Sequence, residues 1–377
     1  MVSVNVKIFS LLTACVVIAL QGCSKILEPE EANSFGLKKV ELQLTSEDWG
    51  TLNSNVFARL QVPGDLKLEG KRWNVKVRYS GQTSINNTKK SVTFEFPENQ
   101  RYRGHRYYGL SAQFGDPTGL NPIVGFYAFA QAGLTTPNVE PAAFYVNGEY
   151  WGLYFLIEPI DEDFFVRRGQ RLGSFYEATR AHAYLSFAGG YDVRLGFENK
   201  GEREGYFGDL EEMIRVLNES SPEELPARLQ PLLDVENCLR YLAVSVLFHN
   251  SDGYINNYRL HKNNPEDPFQ IIPWDLDHLL EIHPTRSTIF GEKKFSEHLL
   301  KARVHRQRYR EILLELMDET LRVERLDEIL DETAAQIAAA LAQDRFRGGD
   351  AFAYAAQRKE RIRQWYAKIR EDLVLLE

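Results

Sequence analysis

The sequence predicts an α+β fold in which a mostly antiparallel sheet is built first and a mostly helical body follows. Three observations carry this. Between residues 39 and 96 short apolar–polar alternations repeat at a period of two, as in half-buried strands. Asn147-Gly148 separates two strand-like runs, the strongest short-range hairpin signal. From residue 296 to 377 leucine, isoleucine and alanine recur at helical spacing with charges between them.

Taken in order, residues 39–44 alternate as a strand. Ser46-Glu47-Asp48-Trp49 reads as a helix start, with Ser46 as cap and acids in the first turn. Residues 57–62, 73–79 and 91–96 alternate as strands, with Pro63-Gly64 and Glu69-Gly70 as turn signals. Residues 81–87 form a small polar loop. After a Gly115-Asp116-Pro117 turn, residues 121–134 are apolar and helical. The hairpin pairs residues 142–146 with 150–157, and Glu158 closes its second strand. Residues 161–206 are mixed and glycine-rich and give no clear element. Residues 209–217 are helical, and Ser221-Pro222-Glu223-Glu224 has the order of a helix start. Asp234 caps an apolar helix over residues 235–248. A short apolar run, residues 269–273, ends just before Asp275 and Asp277. The chain thus divides into 1–22, a tether at 23–37, a sheet-rich part at 38–160 and a mostly helical part at 161–377.

The 377 residues are 44% hydrophobic, enough for one large domain or two lobes. A net charge of −8 argues against a nucleic-acid partner, which requires a basic face. It leaves room for a phosphate ligand, which needs positive charge only locally. Lys7 followed by the apolar stretch 8–20 has the pattern of a targeting leader too short for a comfortable membrane span. Leu20-Gln21-Gly22-Cys23 then resembles a bacterial lipobox, which implies cleavage before Cys23 and its lipidation. The expectation is an extracytoplasmic protein anchored to a bacterial membrane. Cys15 leaves with the leader. Cys238, in an apolar helical pattern, then has no partner for an internal disulfide and reads as a buried thiol, and a zinc–thiolate cluster is excluded.

The chemistry-bearing residues cluster at 249–277. Asp252 lies in a loop behind the apolar helix, Asn257 follows five positions later, and Asp275 and Asp277 end the short apolar run. Such oxygen donors suit a hard divalent cation that binds phosphate. Asp and Asn are also common in polar loops for purely local reasons.

Four stretches resemble the spore-coat protein H (CotH) family of atypical secreted protein kinases. They are Val77–Ser84 with Lys89-Lys90-Ser91, Tyr145–Tyr154 with Glu158-Pro159-Ile160-Asp161, Asp252–Tyr258, and Ile272-Pro273-Trp274-Asp275-Leu276-Asp277. They occur in the family's order and span residues 77–277. The resemblance implies an atypical kinase-like fold with a sheet lobe and a helical lobe. It implies transfer of the γ-phosphoryl of ATP, with Mg²⁺ or Mn²⁺, to Ser or Thr of a protein on the cell surface or in the envelope. Asp252 would accept or orient the substrate hydroxyl proton. Lys89 or Lys90 would reach the phosphates; strand alternation allows only one, and Lys90 is preferred. Glu158 would pair with that lysine. Gly81 and Ser84 would lie in a loop covering the phosphates. Asn257, or instead Asn256, would bind metal together with Asp275, and Asp277 would be a further ligand or an acceptor behind it.

Trp274 and Tyr258 read as packing residues. His249 reads as a helix-end histidine or an aid to proton transfer. Residues 303–310 read as a solvated basic face. The chain departs from the family pattern at Tyr79-Ser80, at Leu120-Asn121-Pro122 and at His261, positions that bear on nucleotide affinity and substrate choice. Two rival readings use the same residues: a nucleotide- or metal-binding surface module without turnover, and a metal-dependent phosphoesterase.

Overall fold

The computed structural model describes residues 34–82, 84–179, 182–187, 192–281 and 288–377. The leader, Cys23 and Thr83 lie outside the described residues. The chain begins with β1 (Lys38–Gln43), α1 (Ser46–Ser54), β2 (Val62–Leu68), β3 (Lys71–Ser80), β4 (Ser91–Glu95) and β5 (Tyr107–Ser111). It continues through α2 (Asn121–Gln131), β6 (Val139–Val146) and β7 (Glu149–Ile157). These seven strands form a closed barrel in the order β1-β2-β3-β4-β5-β7-β6.

The sheet is mostly antiparallel, as expected, but it closes into a barrel through one parallel pair. β1 runs parallel to β6, from Lys38 opposite Ala142 to Leu42 opposite Val146. Closing the ring leaves no row of unpaired backbone groups at a sheet edge. The barrel is filled by Val40, Leu42, Leu66, Val77, Phe94, Phe144 and Tyr154 among others. Along β7 the side chains alternate between two cores. Tyr154 and Leu156 point into the barrel, while Leu153 and Phe155 join the helical core. That double burial is why residues 152–157 are all buried.

Turn chemistry explains the β6–β7 hairpin. Asn147 and Gly148 both have positive φ, +51° and +85°, as a type I′ turn requires. The Asn147 side chain also accepts from the Leu44 N–H at 2.8 Å, tying the turn to the end of β1. Three local expectations fail. The cap of α1 is Thr45, whose hydroxyl accepts from the Asp48 N–H, not Ser46. Pro63-Gly64 is not a turn but lies inside β2. β1 pairs only with residues 65–68 of that strand, so Pro63 sits where its missing N–H costs no ladder bond. Residues 57–61 are therefore not strand; a short 3-10 turn covers Val56–Ala58.

The rest of the chain is α3 (Glu162–Val166), β8 (Ser174–Ala178), β9 (Phe197–Asn199), α4 (Gly208–Glu219), α5 (Leu225–Leu229) and α6 (Val235–Leu247). Then come β10 (Tyr258–Lys262), β11 (Gln270–Pro273), α7 (Lys293–Ser296), α8 (Arg303–Glu315), α9 (Val323–Ala342) and α10 (Ala351–Asp372). A second, antiparallel sheet has the order β11-β10-β8-β9. The helix start expected at Ser221 begins later, at Leu225, behind a reciprocal Ser221–Glu224 bond pair.

α6 is the central rod. Asp234 caps it through the Asn237 N–H, and Cys238 is fully buried along it. Around it pack α2, α8, α10 and β11. Among the described residues no helix is long and apolar enough to cross a membrane.

Candidate active site between the barrel and the helical body

Three loops meet beside the C-terminal end of α6. The first carries Asp252. Phe248 ends the helix, and His249 turns the chain with φ +48°. A 3-10 turn over Asp252–Tyr254 follows, fixed by the Tyr241 hydroxyl donating to the Gly253 carbonyl at 2.8 Å. A Cβ at Gly253 would lie 2.2 Å from the Asn250 amide, so the loop closes only on glycine. The second loop leaves β11. Pairing of Tyr258 with Pro273 continues through the Trp274 N–H, which donates to the Asn257 carbonyl at 3.1 Å. Asn257 and Asp275 thus sit at adjacent levels of one hairpin end, both with left-handed backbone, φ +58° and +51°. Such conformations cost about 1–3 kcal/mol each and persist where the surroundings impose them.

The third loop follows β5, where the sequence signals only a turn. The Gly115 N–H donates to Asp277 Oδ2 at 3.0 Å. The Asn121 side chain donates to the carbonyls of Asp277 and Leu279 at 2.7 and 3.1 Å. A Cβ at Gly115 would lie 2.3 Å from Asp277 Oδ2, so glycine there makes room for the carboxylate. The Leu280 N–H donates to Phe248 O, joining the second loop to the first, and Arg358 of α10 donates to Leu280 O at 2.7 Å.

The carboxylates of these loops feel one another. Asp275 is exposed as a residue, although protein atoms crowd its carboxyl. Burial pushes its carboxyl up, Arg259 and His278 oppose this, and Asp252 adds to it. Asp277 is pushed up to about 7 by burial, then by the charges of Asp275 and Asp116, against His278 and the Gly115 N–H. Burial works against the His278 cation, but Asp277 and Asp252 still raise its pKa. Arg259, buried behind Asp275, pairs with Glu177 at 3.3 Å and lies over Trp274.

The structure therefore brings Asp252, Asp275 and Asp277 into one electrostatic neighbourhood with more negative charge than Arg259 and His278 offset. Hard oxygen donors around uncompensated charge fit Mg²⁺ or Mn²⁺. The three carboxylates do not all lie within 4.8 Å of one another. Among the described residues, the set that does converge so closely is His105, Asp161 and Asp163. Both ring nitrogens of His105 are already spent on Asp161 and Glu158, so that set is an ion network.

On the barrel side, Lys89 is 5% exposed and points inward. Its ammonium donates to the Leu153 carbonyl at 2.6 Å and to Asp344 Oδ2 at 2.7 Å. Two of its three N–H donors are thus used, and the ammonium also lies 4.7 Å from the ring centre of Tyr154. Burial lowers its pKa against the pull of Asp344, and Asp116 and Arg347 also act on it. Asp344, between α9 and α10, accepts as well from the N–H groups of Leu153, Phe346 and Arg347.

Lys90, preferred from the sequence, is not the inward lysine. Its ammonium holds the carbonyls of Ile85 and Asn87 at 2.9 and 2.7 Å. That loop contains Gly81, φ +111°, whose carbonyl accepts from Arg59, and Ser84, whose hydroxyl sits where a Gly81 side chain would be.

The expected Lys–Glu158 pair is corrected as well. Glu158 is 1% exposed and bound by Arg168 at 2.9 and 3.1 Å, by His105 at 3.3 Å, and by the backbone and side chain of Asn138. Burial raises its carboxyl, but these donors prevail and hold it at about 2. Register gives the reason. Thr93, Gly109 and Ile157 are at one level of the sheet, which places Lys89 beside Leu153 and Glu158 five residues further along, about 17 Å away.

Asp116, Asp344, Arg347 and His278 were missed. For Asp344 and Arg347 no local signal exists, since Asp344 meets Lys89 across 255 positions. Asp116 was visible only as part of a turn, and His278 only as a neighbour of Asp277. Tyr258, bonded to Ala183 O, and Trp274 pack as expected.

Residues 77–372 match the family described as CotH kinase protein. The chain belongs to the CotH kinase family. The inner spore coat protein H of Bacillus subtilis (strain 168) is 27% identical over 251 residues, 65% of this chain and 69% of that protein. Among solved structures, the Shewanella oneidensis MR-1 HipA, HipB and operator DNA complex matches 77% of this chain and 63% of that chain, at 12% identity and a TM-score of 0.31. The Helicobacter pylori proinflammatory kinase CtkA matches 81% and 89%, at 11% identity and a TM-score of 0.31. Scores at that level carry no argument about this chain, so the family assignment rests on sequence. Within the CotH kinase frame, Gly152 explains part of the Tyr150–Tyr154 segment. Its φ is +152°, and a Cβ there would lie 2.4 Å from Asp344 Oδ2. Gly152→Ala is expected to expel the Asp344 carboxylate from Leu153 and Lys89, lowering stability by about 1–3 kcal/mol in thermal denaturation.

Proposed function

We propose that this chain is a kinase with an atypical protein-kinase-like fold that transfers the γ-phosphoryl group of ATP to a serine or threonine hydroxyl of a surface or envelope protein. The observation that supports the reading is that Asp252, Asp275 and Asp277, from two loops, interact electrostatically, and that Asp116 acts on both Asp277 and the barrel's Lys89. Asp252 takes the proton of the substrate hydroxyl as its oxygen bonds to the γ-phosphorus. The bond from that phosphorus to the bridging oxygen breaks, and ADP leaves. Lys89, held by Asp344 and Leu153 O, would offer its third N–H to a phosphate oxygen. Asp275, Asp277 and the neutral amide of Asn257 would hold Mg²⁺ or Mn²⁺. The ion supplies neutralisation of phosphate charge. The leader at residues 1–22 and lipidation at Cys23 would place this chemistry outside the cytoplasm, tethered to a membrane.

The test is ligand-linked stability of the detergent-purified full chain. ATP with Mg²⁺ or Mn²⁺ is expected to raise the melting temperature, by about 2.7 kcal/mol of stabilisation at a hundredfold excess over Kd. Lys89→Met is expected to weaken that response. Stabilisation without protein labelling would favour a binding module. Absence of any response to nucleotide plus metal would contradict the proposal.

A further inference from the structure

We infer that Arg347, in the turn between α9 and α10, is a second phosphate-binding cation of this site, gripping the terminal phosphate oxygens alongside Lys89. The inference rests on the phosphotransfer reading and extends it to a residue outside the four stretches that resemble the family.

The observations are geometric. A small cavity of about 10 Å³ lies between the barrel and the α9–α10 turn, lined by Lys89, Gln113, Asp116, Leu153, Asp344 and Arg347. It has room for about one water-sized group, hence for a phosphoryl oxygen rather than a base. Two cations flank it. The carboxylates there are already committed. Asp344 accepts from Lys89 and from three backbone N–H groups. Asp116 accepts from the Thr118 N–H at 2.9 Å, the Thr118 hydroxyl at 2.5 Å and the Asn121 N–H at 2.9 Å.

Arg347 is different. Its Nη1 is buried with no hydrogen-bond partner, and among the described residues no carboxylate pairs with its guanidinium. A buried unpaired donor on a charged group is costly, and such a group is normally satisfied by a ligand or an ion. The guanidinium is also held in place. Its carbon sits 3.9 Å from the ring centre of Phe114, and the Arg347 N–H is bonded to Asp344 Oδ1 at 3.0 Å. Phe114 directly precedes Gly115, whose N–H holds Asp277. Arg347 thus packs against the loop whose Gly115 N–H holds Asp277. A guanidinium with its Nη1 unpartnered, stacked on an aromatic ring and lining a cavity shared with a lysine, is suited to a phosphate oxygen.

The test uses the detergent-purified full chain with ATP and with inorganic tripolyphosphate, each with Mg²⁺, in calorimetric titrations. Arg347→Ala is expected to weaken both about tenfold to a hundredfold while leaving the ligand-free melting temperature unchanged. Arg347→Lys, which keeps the charge but loses the fork, is expected to fall between. Should Arg347→Ala melt early, Arg347→Gln, which keeps most of the packing and loses the charge, gives the same reading. Wild-type affinity in the alanine and glutamine variants overturns the inference and leaves the kinase proposal standing. Arg347-dependent binding of tripolyphosphate with no binding of ATP upholds the anion site and overturns the kinase proposal.

Discussion

Asp252→Asn and Asp275→Ala are each expected to lower phosphoryl transfer by about 10² to 10⁴-fold, the range for loss of a positioned base or of a charge-stabilising group. The two losses have different causes. Asparagine at 252 keeps the shape of the loop and removes the proton acceptor. Alanine at 275 removes a carboxylate whose charge is opposed by Asp252 and only partly offset by Arg259 and His278. Burial and Asp252 already oppose that charge, which offsets the strain alanine adds at the left-handed φ of +51°, so the melting temperature should stay near the wild-type value. Steady-state rates beside thermal denaturation check both points. A variant that loses activity and stability together would assign Asp275 to the fold instead.

Glu158→Gln is expected to cost about 1–3 kcal/mol of stability, because it takes the carboxylate from buried His105, which keeps Asp161, and from the partly exposed Arg168. The pH dependence follows from two opposite shifts. Glu158, held near 2 against an ordinary 4.5, contributes stability above pH 4.5 that is lost as pH falls toward 2. Burial lowers the His105 pKa, but Asp161 and Glu158 outweigh it and raise it to about 9 against an ordinary 6.5, so its contribution is complete below 6.5 and lost as pH rises through 9. The gap between wild type and variant should be widest from pH 4.5 to 6.5. Nucleotide affinity of the folded variant should be unchanged, since Glu158 stands five strand residues from the level of Lys89. Denaturation across pH with parallel ATP titrations measures both. A stable Glu158→Gln protein that no longer binds ATP would restore the lysine–glutamate pair that the sequence implied.

The contrast shows what a linear sequence conveys. Asn147-Gly148 announces its hairpin because the turn itself demands positive φ. Asp234 announces α6 because a cap bonds three residues on. The positions of Asp252, Asn257 and Asp275 after a helix end, before a strand start and past a strand end were legible because these are local features. The barrel closure was not, because β1 and β6 lie a hundred positions apart and their pairing leaves no local pattern. Pro63-Gly64 misled because a turn-forming pair is equally at home where a strand has one paired neighbour. The choice between Lys89 and Lys90 turned on which face of β4's entry meets Leu153 and Asp344, a tertiary fact. The same holds for Asp344 and Arg347, which reach the cleft from the far end of the chain.

The most direct measurement is incubation of the purified chain with γ-labelled ATP and Mg²⁺ or Mn²⁺, followed by detection of label on protein. The account predicts metal-dependent incorporation into the chain itself or an added envelope protein, absent with α-labelled ATP and absent in Asp252→Asn. Metal-dependent release of inorganic phosphate from small phosphoesters, with no labelled protein, would contradict it.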